Sequence, residues 1–161
     1  MREILFRGKC KETGKWYTGY YINLHKTTYC FKEDYDHYKD NDIHQIVFEE
    51  MTDWGLPNQH LRVDVIPETI GQYTGLTDKN GKKIFEGDIV EGHCHSQWSH
   101  RLQRCVVVYD RDGFKSRHYL NYPDDKHYFE YKVLFSKDVV VVGNIHDNPE
   151  LLRSDNQCEY E

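Results

Sequence analysis

Apolar residues along the chain come in short alternating runs separated by Gly, Asn, Asp and Pro, a period that suits strands better than helices. Ile4 and Phe6 alternate with Glu3, Leu5 and Arg7, residues 11–15 supply a turn around Gly14, and residues 16–22 run back as an aromatic strand, which together read as a hairpin. Trp16 and Tyr17 must then point to opposite faces, so one of them belongs to the core. Residues 23–42 are polar and acidic, with Tyr29, Phe31, Tyr35 and Tyr38 scattered through them, and predict an irregular excursion with a short strand near Tyr29-Cys30-Phe31. Residues 43–51 suit another strand around Ile46, Val47 and Phe48, which Asp53-Trp54-Gly55-Leu56-Pro57-Asn58 ends. Pro67 has no N–H to donate to a central ladder, so Ile66-Pro67-Glu68 reads as a joint between two lobes.

Beyond that joint, residues 72–76 and 82–85 predict two strands around Thr77-Asp78-Lys79-Asn80-Gly81, where Asn and Asp can bond nearby backbone and Gly accepts positive φ. Glu86-Gly87-Asp88 is a second turn, and Ile89-Val90 begins the next strand. Cys105-Val106-Val107-Val108-Tyr109 is a plain strand, residues 114–122 and 128–135 are weaker ones, and Val139-Val140-Val141-Val142 lacks alternation, which predicts cover on both faces. Asn148-Pro149-Glu150-Leu151-Leu152 carries a capping residue and a proline at a tolerated first helical position, so a short C-terminal helix is expected there. The fold class is therefore mainly β with minor α: an N-terminal β-hairpin lobe over residues 1–66, a small closed barrel with a short helix over 67–152, and an acidic tail over 153–161. Aromatics at 14% of 161 residues, thirteen of them Tyr, support sheets over a helical bundle.

Several blocks resemble the YopX family of phage and prophage proteins. They are Arg2-Glu3-Ile4-Leu5-Phe6-Arg7, Pro67-Glu68-Thr69-Ile70-Gly71-Gln72-Tyr73-Thr74-Gly75-Leu76, Asp78-Lys79-Asn80-Gly81, Ile84-Phe85-Glu86-Gly87-Asp88-Ile89-Val90, and Gly143-Asn144-Ile145-His146-Asp147-Asn148-Pro149-Glu150-Leu151-Leu152. The resemblance implies a β-rich protein whose C-terminal part is a small SH3-like barrel, a phage or prophage origin, and no assigned biochemical activity. Residues 23–62 and 92–137 match little of it.

A net charge of −6 leaves no general field for polyanions, so duplex DNA is not a favoured partner. The charge is uneven: residues 1–15 hold five cations against two anions, and residues 32–50 hold two against seven, so the first is +3 and the second −5. Such patches can pair between copies, which makes a homo-oligomer an expectation, or can simply be solvated faces. Five cysteines without regular spacing, and an N-terminus broken by Arg2, Glu3, Arg7 and Lys9, read as a reduced cytoplasmic protein with no membrane span.

Candidate chemistry is thin. In His93-Cys94-His95-Ser96-Gln97-Trp98-Ser99-His100 an extended backbone puts His93 and His95 on one face, with His100 able to return as a third metal ligand. The spacing lacks a zinc knuckle, and a polar surface loop accounts for it more simply. Cys94 beside those histidines is badly placed as a nucleophile, because neighbours on a strand point apart. Setting Gly81 at the sixth position of a calcium loop puts Leu76 and Gly87 where carboxylates belong, which excludes an EF-hand. Glu68, Glu86, Asp88 and Glu150 would allow acid–base work only if folding brought two together, and turn and cap duties explain each singly. Tyr73 with Lys82, Lys83, Arg101, Arg104, Lys115 and Arg117 forms a candidate surface for nucleic acid or a protein partner, by stacking and a local positive groove. The sequence thus predicts a non-enzymatic binding or assembly module without a cofactor, with a nucleic-acid-binding barrel as the alternative.

Overall fold

The computed structural model describes residues 3–25, 27–38, 42–93, 102–111, 113–119, 128–131 and 139–152. Among the described residues eleven strands and one α-helix follow in chain order: β1 Phe6–Lys9, β2 Trp16–Leu24, α1 Lys32–Tyr38, β3 Ile43–Glu50, β4 Gln59–Asp64, β5 Gly71–Thr77, β6 Lys83–Phe85, β7 Asp88–His93, β8 Leu102–Asp110, β9 Gly113–Tyr119, β10 Tyr128–Tyr131 and β11 Val139–Asn144. All strand pairs are antiparallel, in two sheets, so the mainly β expectation holds. The chain divides into two compact units, residues 3–72 and residue 73 onward.

In the first unit the strand order is β4-β3-β2-β1, with Gly71 and Gln72 at the head of β5 paired to Arg7 and Phe6. Strand β2 serves both neighbours in turn: Trp16 to Gly19 pair with β1, and Tyr20 to Leu24 pair with β3. That offset curls the sheet, so that Val65, just past β4, bridges Cys10 at the end of β1. Ile66 N donates to Lys9 O at 2.9 Å and Lys11 N to Asp64 O at 3.0 Å along the same seam. Gly8 and Gly19 make the curl sterically possible. A Cβ on Gly8 would stand 3.0 Å from Val65, and one on Gly19 would stand 2.1 Å from the Val47 carbonyl oxygen. Inside lie Ile46 and Val65, both fully buried, and the tilted Tyr17–Phe48 and Phe6–Tyr21 ring pairs. Tyr17 therefore takes the inner face, while Trp16 lies under the Arg7 guanidinium, 4.9 Å from its carbon.

The 23–42 excursion differs from the expectation. No strand forms at Tyr29-Cys30-Phe31; a helix of seven residues follows at Lys32–Tyr38 and buries none of them. Its acidic residues Glu33 and Asp34 sit in the first turn, where they complement the helix dipole, and the Tyr38 ring stacks on Tyr29 at 5.6 Å. Local electrostatics and the ring contacts of Tyr38 with Tyr29 and of Tyr35 with His25, with no apolar stripe, decide this element.

In the second unit β5 pairs with β6, and among the described residues the sheet order β10-β9-β8-β7-β11 does not close on itself, the β5–β6 turn bonding along the outer edge of β11 through Lys79 N to Val139 O at 3.1 Å. The predicted closed SH3-like barrel is therefore corrected to an open five-stranded sheet with the β5–β6 hairpin against it. Ile84, Val90, Cys105, Val107, Val139 and Val141 form the core, with Leu76 and Phe114 packed on it. The four valines are corrected as well: Val139 and Val141 point inward, while Val142 is 37% exposed, because the core covers only one face of β11. The C-terminal helix reduces to a 3₁₀ turn, Pro149–Leu152, with Leu151 and Leu152 half-buried.

Candidate functional site

The turn carboxylates are built into the backbone of the second unit. Asp78, 5% exposed, accepts at Oδ1 from Asn80 N at 2.8 Å and Lys82 N at 2.9 Å, and at Oδ2 from Val141 N at 3.1 Å. One side chain so closes the β5–β6 turn and ties it to β11. Burial alone would raise its pKa, but the amides of Val141, Lys82 and Asn80, with the Lys82 charge, outweigh it and hold the carboxyl below the ordinary aspartate value. Asp88 is 1% exposed and its Oδ2 accepts from Phe85 N at 2.7 Å. Gly87 between these strands has φ +78°, donates to Val107 O at 2.8 Å and accepts from Ile145 N at 2.9 Å. Asn144 Oδ1 takes the His146 and Asp147 amides, both at 2.9 Å, as a turn residue should.

The residues proposed for a binding surface have these places. Tyr73 is 7% exposed, with its ring 5.5 Å from Phe85 and the Lys83 ammonium 5.1 Å above it. Lys82 is exposed in the turn. Arg104 Nε bonds Glu91 at 2.8 Å and its Nη1 reaches Leu151 O at 3.3 Å. Lys115 bonds Asp110 at 2.8 Å, which pulls the Asp110 pKa down. Arg117 stands on β9 between Val106 and Glu130 in the ladder. His93 ends β7 opposite Leu102, and Arg101, His95 and His100 lie outside the described residues. Among the described residues no group of three or more His, Cys, Asp or Glu is arranged to hold a metal ion, and no helix is long and apolar enough to cross a membrane.

The first unit carries two features of its own. A groove of about 290 Å³ runs along His25, Tyr29, Cys30, Phe31 and Tyr35, beside the His25–Asp42 contact at 2.8 Å. The β3–β4 loop presents Met51, Trp54 and Leu56 at 65%, 90% and 60% exposure. This loop is hydrogen-bonded within itself: Trp54 N donates to Asp53 Oδ1 at 2.7 Å, Leu56 N to Asp53 O at 3.2 Å, and Thr52 Oγ1 to Pro57 O at 3.1 Å. Sequence reading treated Asp53-Trp54-Gly55-Leu56-Pro57 only as a strand stop. The missed signal is a large aromatic placed among turn formers, where no core position exists to receive it.

These features define an antiparallel β protein of two units whose turns are held by buried aspartates and whose large exposed apolar residues include a hairpin tip. The chain belongs to the YopX family: the family model described as YopX protein matches residues 5–153, nearly its whole length. No curated protein matches it. Among solved structures it is similar to protein EF1440 from Enterococcus faecalis, with 23% identity, 94% of this chain and 99% of that chain covered, and a TM-score of 0.45.

Proposed function

We propose that this protein is a non-enzymatic binding and assembly module of phage or prophage origin, working in the host cytoplasm and associating with itself. The observation that carries the reading is the β3–β4 tip, where a preformed loop holds Trp54 at 90% exposure with Met51 and Leu56 beside it. A soluble fold gains nothing from ordering three large apolar side chains in water, whereas a contact surface does, and Trp is the residue most often found as its anchor. Two further observations support it. Asp78 and Asp88 accept main-chain amides, so they are poorly suited to the proton transfers an enzyme would ask of them. Arg104 and Lys115 pair with Glu91 and Asp110, and Tyr73 is buried, which favours a protein contact over a nucleic-acid groove.

The test is molar mass against concentration by light scattering. A mass that rises above 19.4 kDa with concentration is expected. A monomer mass held to about 200 µM would remove self-association.

A further inference from the structure

Both hairpin tips of the first unit point the same way along its strands. Lys9 pairs with Trp16 and Glu50 with Gln59 at the strand ends, and β2 runs antiparallel to β3, so the β1–β2 turn and the β3–β4 loop leave the sheet in the same direction. Because the curl bonds Lys11 N to Asp64 O while the β3–β4 loop joins β4 at Gln59, five extended residues, roughly 17 Å, separate them along β4. Their chemistry is opposite. Residues 9–15 hold Lys9, Lys11 and Lys15 against Glu12, which is 3 − 1 = +2, with Lys11 and Lys15 exposed. Residues 49–58 hold Glu49, Glu50 and Asp53 and no cation, which is −3, all three exposed around Trp54.

We infer that these two tips of the first unit form a self-complementary interface for a second copy of the chain, a proposal that rests on the self-association reading above. A two-fold axis in the contact plane, crossing the line between the tips at right angles, lays each basic turn on the partner's acidic, apolar loop. The alternative axis, along that line, sets like charge on like and is disfavoured. Under the first axis Trp54 of each copy reaches the region of Lys11, Lys15 and the half-buried Trp16 of the other, where an indole face and cations suit one another. A lipid surface is a poorer occupant, because anionic headgroups would meet Glu49, Glu50 and Asp53. Each buried Trp contributes about 200 Å², and two tips per copy give a contact near the lower limit of about 1,000 Å² for specific association. The dimer is therefore weak and sensitive to salt.

The experiment is sedimentation velocity on the full chain with three variants: Trp54→Ser, Lys11→Glu with Lys15→Glu, and Glu49→Lys with Glu50→Lys. All five positions are exposed, and circular dichroism checks the fold of each variant. The expected result is that Trp54→Ser weakens dimerisation by about 30-fold or more. Each charge-reversal variant alone should stay monomeric, and an equimolar mixture of the two should dimerise again, because it restores opposite charge at both contacts. Wild-type association that survives Trp54→Ser, or a mixture that stays monomeric, overturns this interface and leaves self-association standing. A wild type that is monomeric throughout overturns both. Monomeric protein whose tryptophan fluorescence shifts to the blue on phosphatidylcholine vesicles, a shift absent from Trp54→Ser, would assign the tip to membrane in its place.

Discussion

At the scale of single residues, Asp78 is the clearest case of a side chain that decides backbone geometry. Three main-chain amides converge on its carboxylate from two separate stretches, residues 80–82 and Val141. Leaving a buried amide without its acceptor costs about 1–3 kcal/mol, so Asp78→Ala should lower stability by about 3 kcal/mol once water reaches the exposed part of the turn. Urea unfolding at pH 7 measures this. The pH dependence has a definite sign. Its carboxyl titrates lower in the folded chain than an ordinary aspartate does, so the unfolded chain takes up the proton first on acidification. The stabilisation is complete above about pH 5 and is lost as pH falls through the ordinary value of about 3.9 toward the folded one. The gap between wild type and Asp78→Ala should shrink below pH 4; a gap that stays constant to pH 3 would mean that the charge is not what matters.

At the scale of elements, what was legible in the sequence was whatever local chemistry specifies. The Asp78-Lys79-Asn80-Gly81 turn, the β5–β6 pair and the Val106-Val107-Val108 strand were all readable, because turn residues and alternation act within a few positions. Helix α1 was not, since it buries nothing and so leaves no apolar period to detect. The open sheet in place of a barrel was equally hidden, because closure depends on pairing between strands far apart in sequence. Of the candidate site, the aspartate turns were readable, while the Trp54 tip needed a structure to show that this loop forms no core. The first unit's curl gives a test at this scale. A methyl group on Gly19 would meet the Val47 carbonyl at 2.1 Å and must push β2 from β3, whereas Gly55, at φ +79°, has open space around it. Gly19→Ala should cost about 3 kcal/mol by overpacking, and Gly55→Ala about 1 kcal/mol by backbone strain alone. Paired urea midpoints compare them, and equal costs would argue that the strand contact at Gly19 is looser than it looks.

At the scale of the whole molecule, charge decides between the two kinds of partner. Net charge is −6, and single-stranded nucleic acid repels such a surface unless cations are gathered on one groove. Several cations of the candidate surface have nearby duties: Arg104 holds Glu91, Lys115 holds Asp110, and the Lys83 ammonium lies over the Tyr73 ring. Recruiting them to phosphate would mean breaking contacts already made within the fold. A labelled single-stranded oligonucleotide in 50 mM salt should therefore show no saturable anisotropy change up to about 100 µM protein, the weak end of non-specific binding. Replacing Glu91 by Gln and Asp110 by Asn would release Arg104 and Lys115 and change the net charge to −6 + 2 = −4. If binding appears only in that double variant, internal pairing is what keeps the wild type from nucleic acid. A wild-type dissociation constant below about 10 µM, well inside the non-specific range and weakening steeply with salt, would instead make the second unit a nucleic-acid surface and leave the protein-assembly reading to the first unit alone.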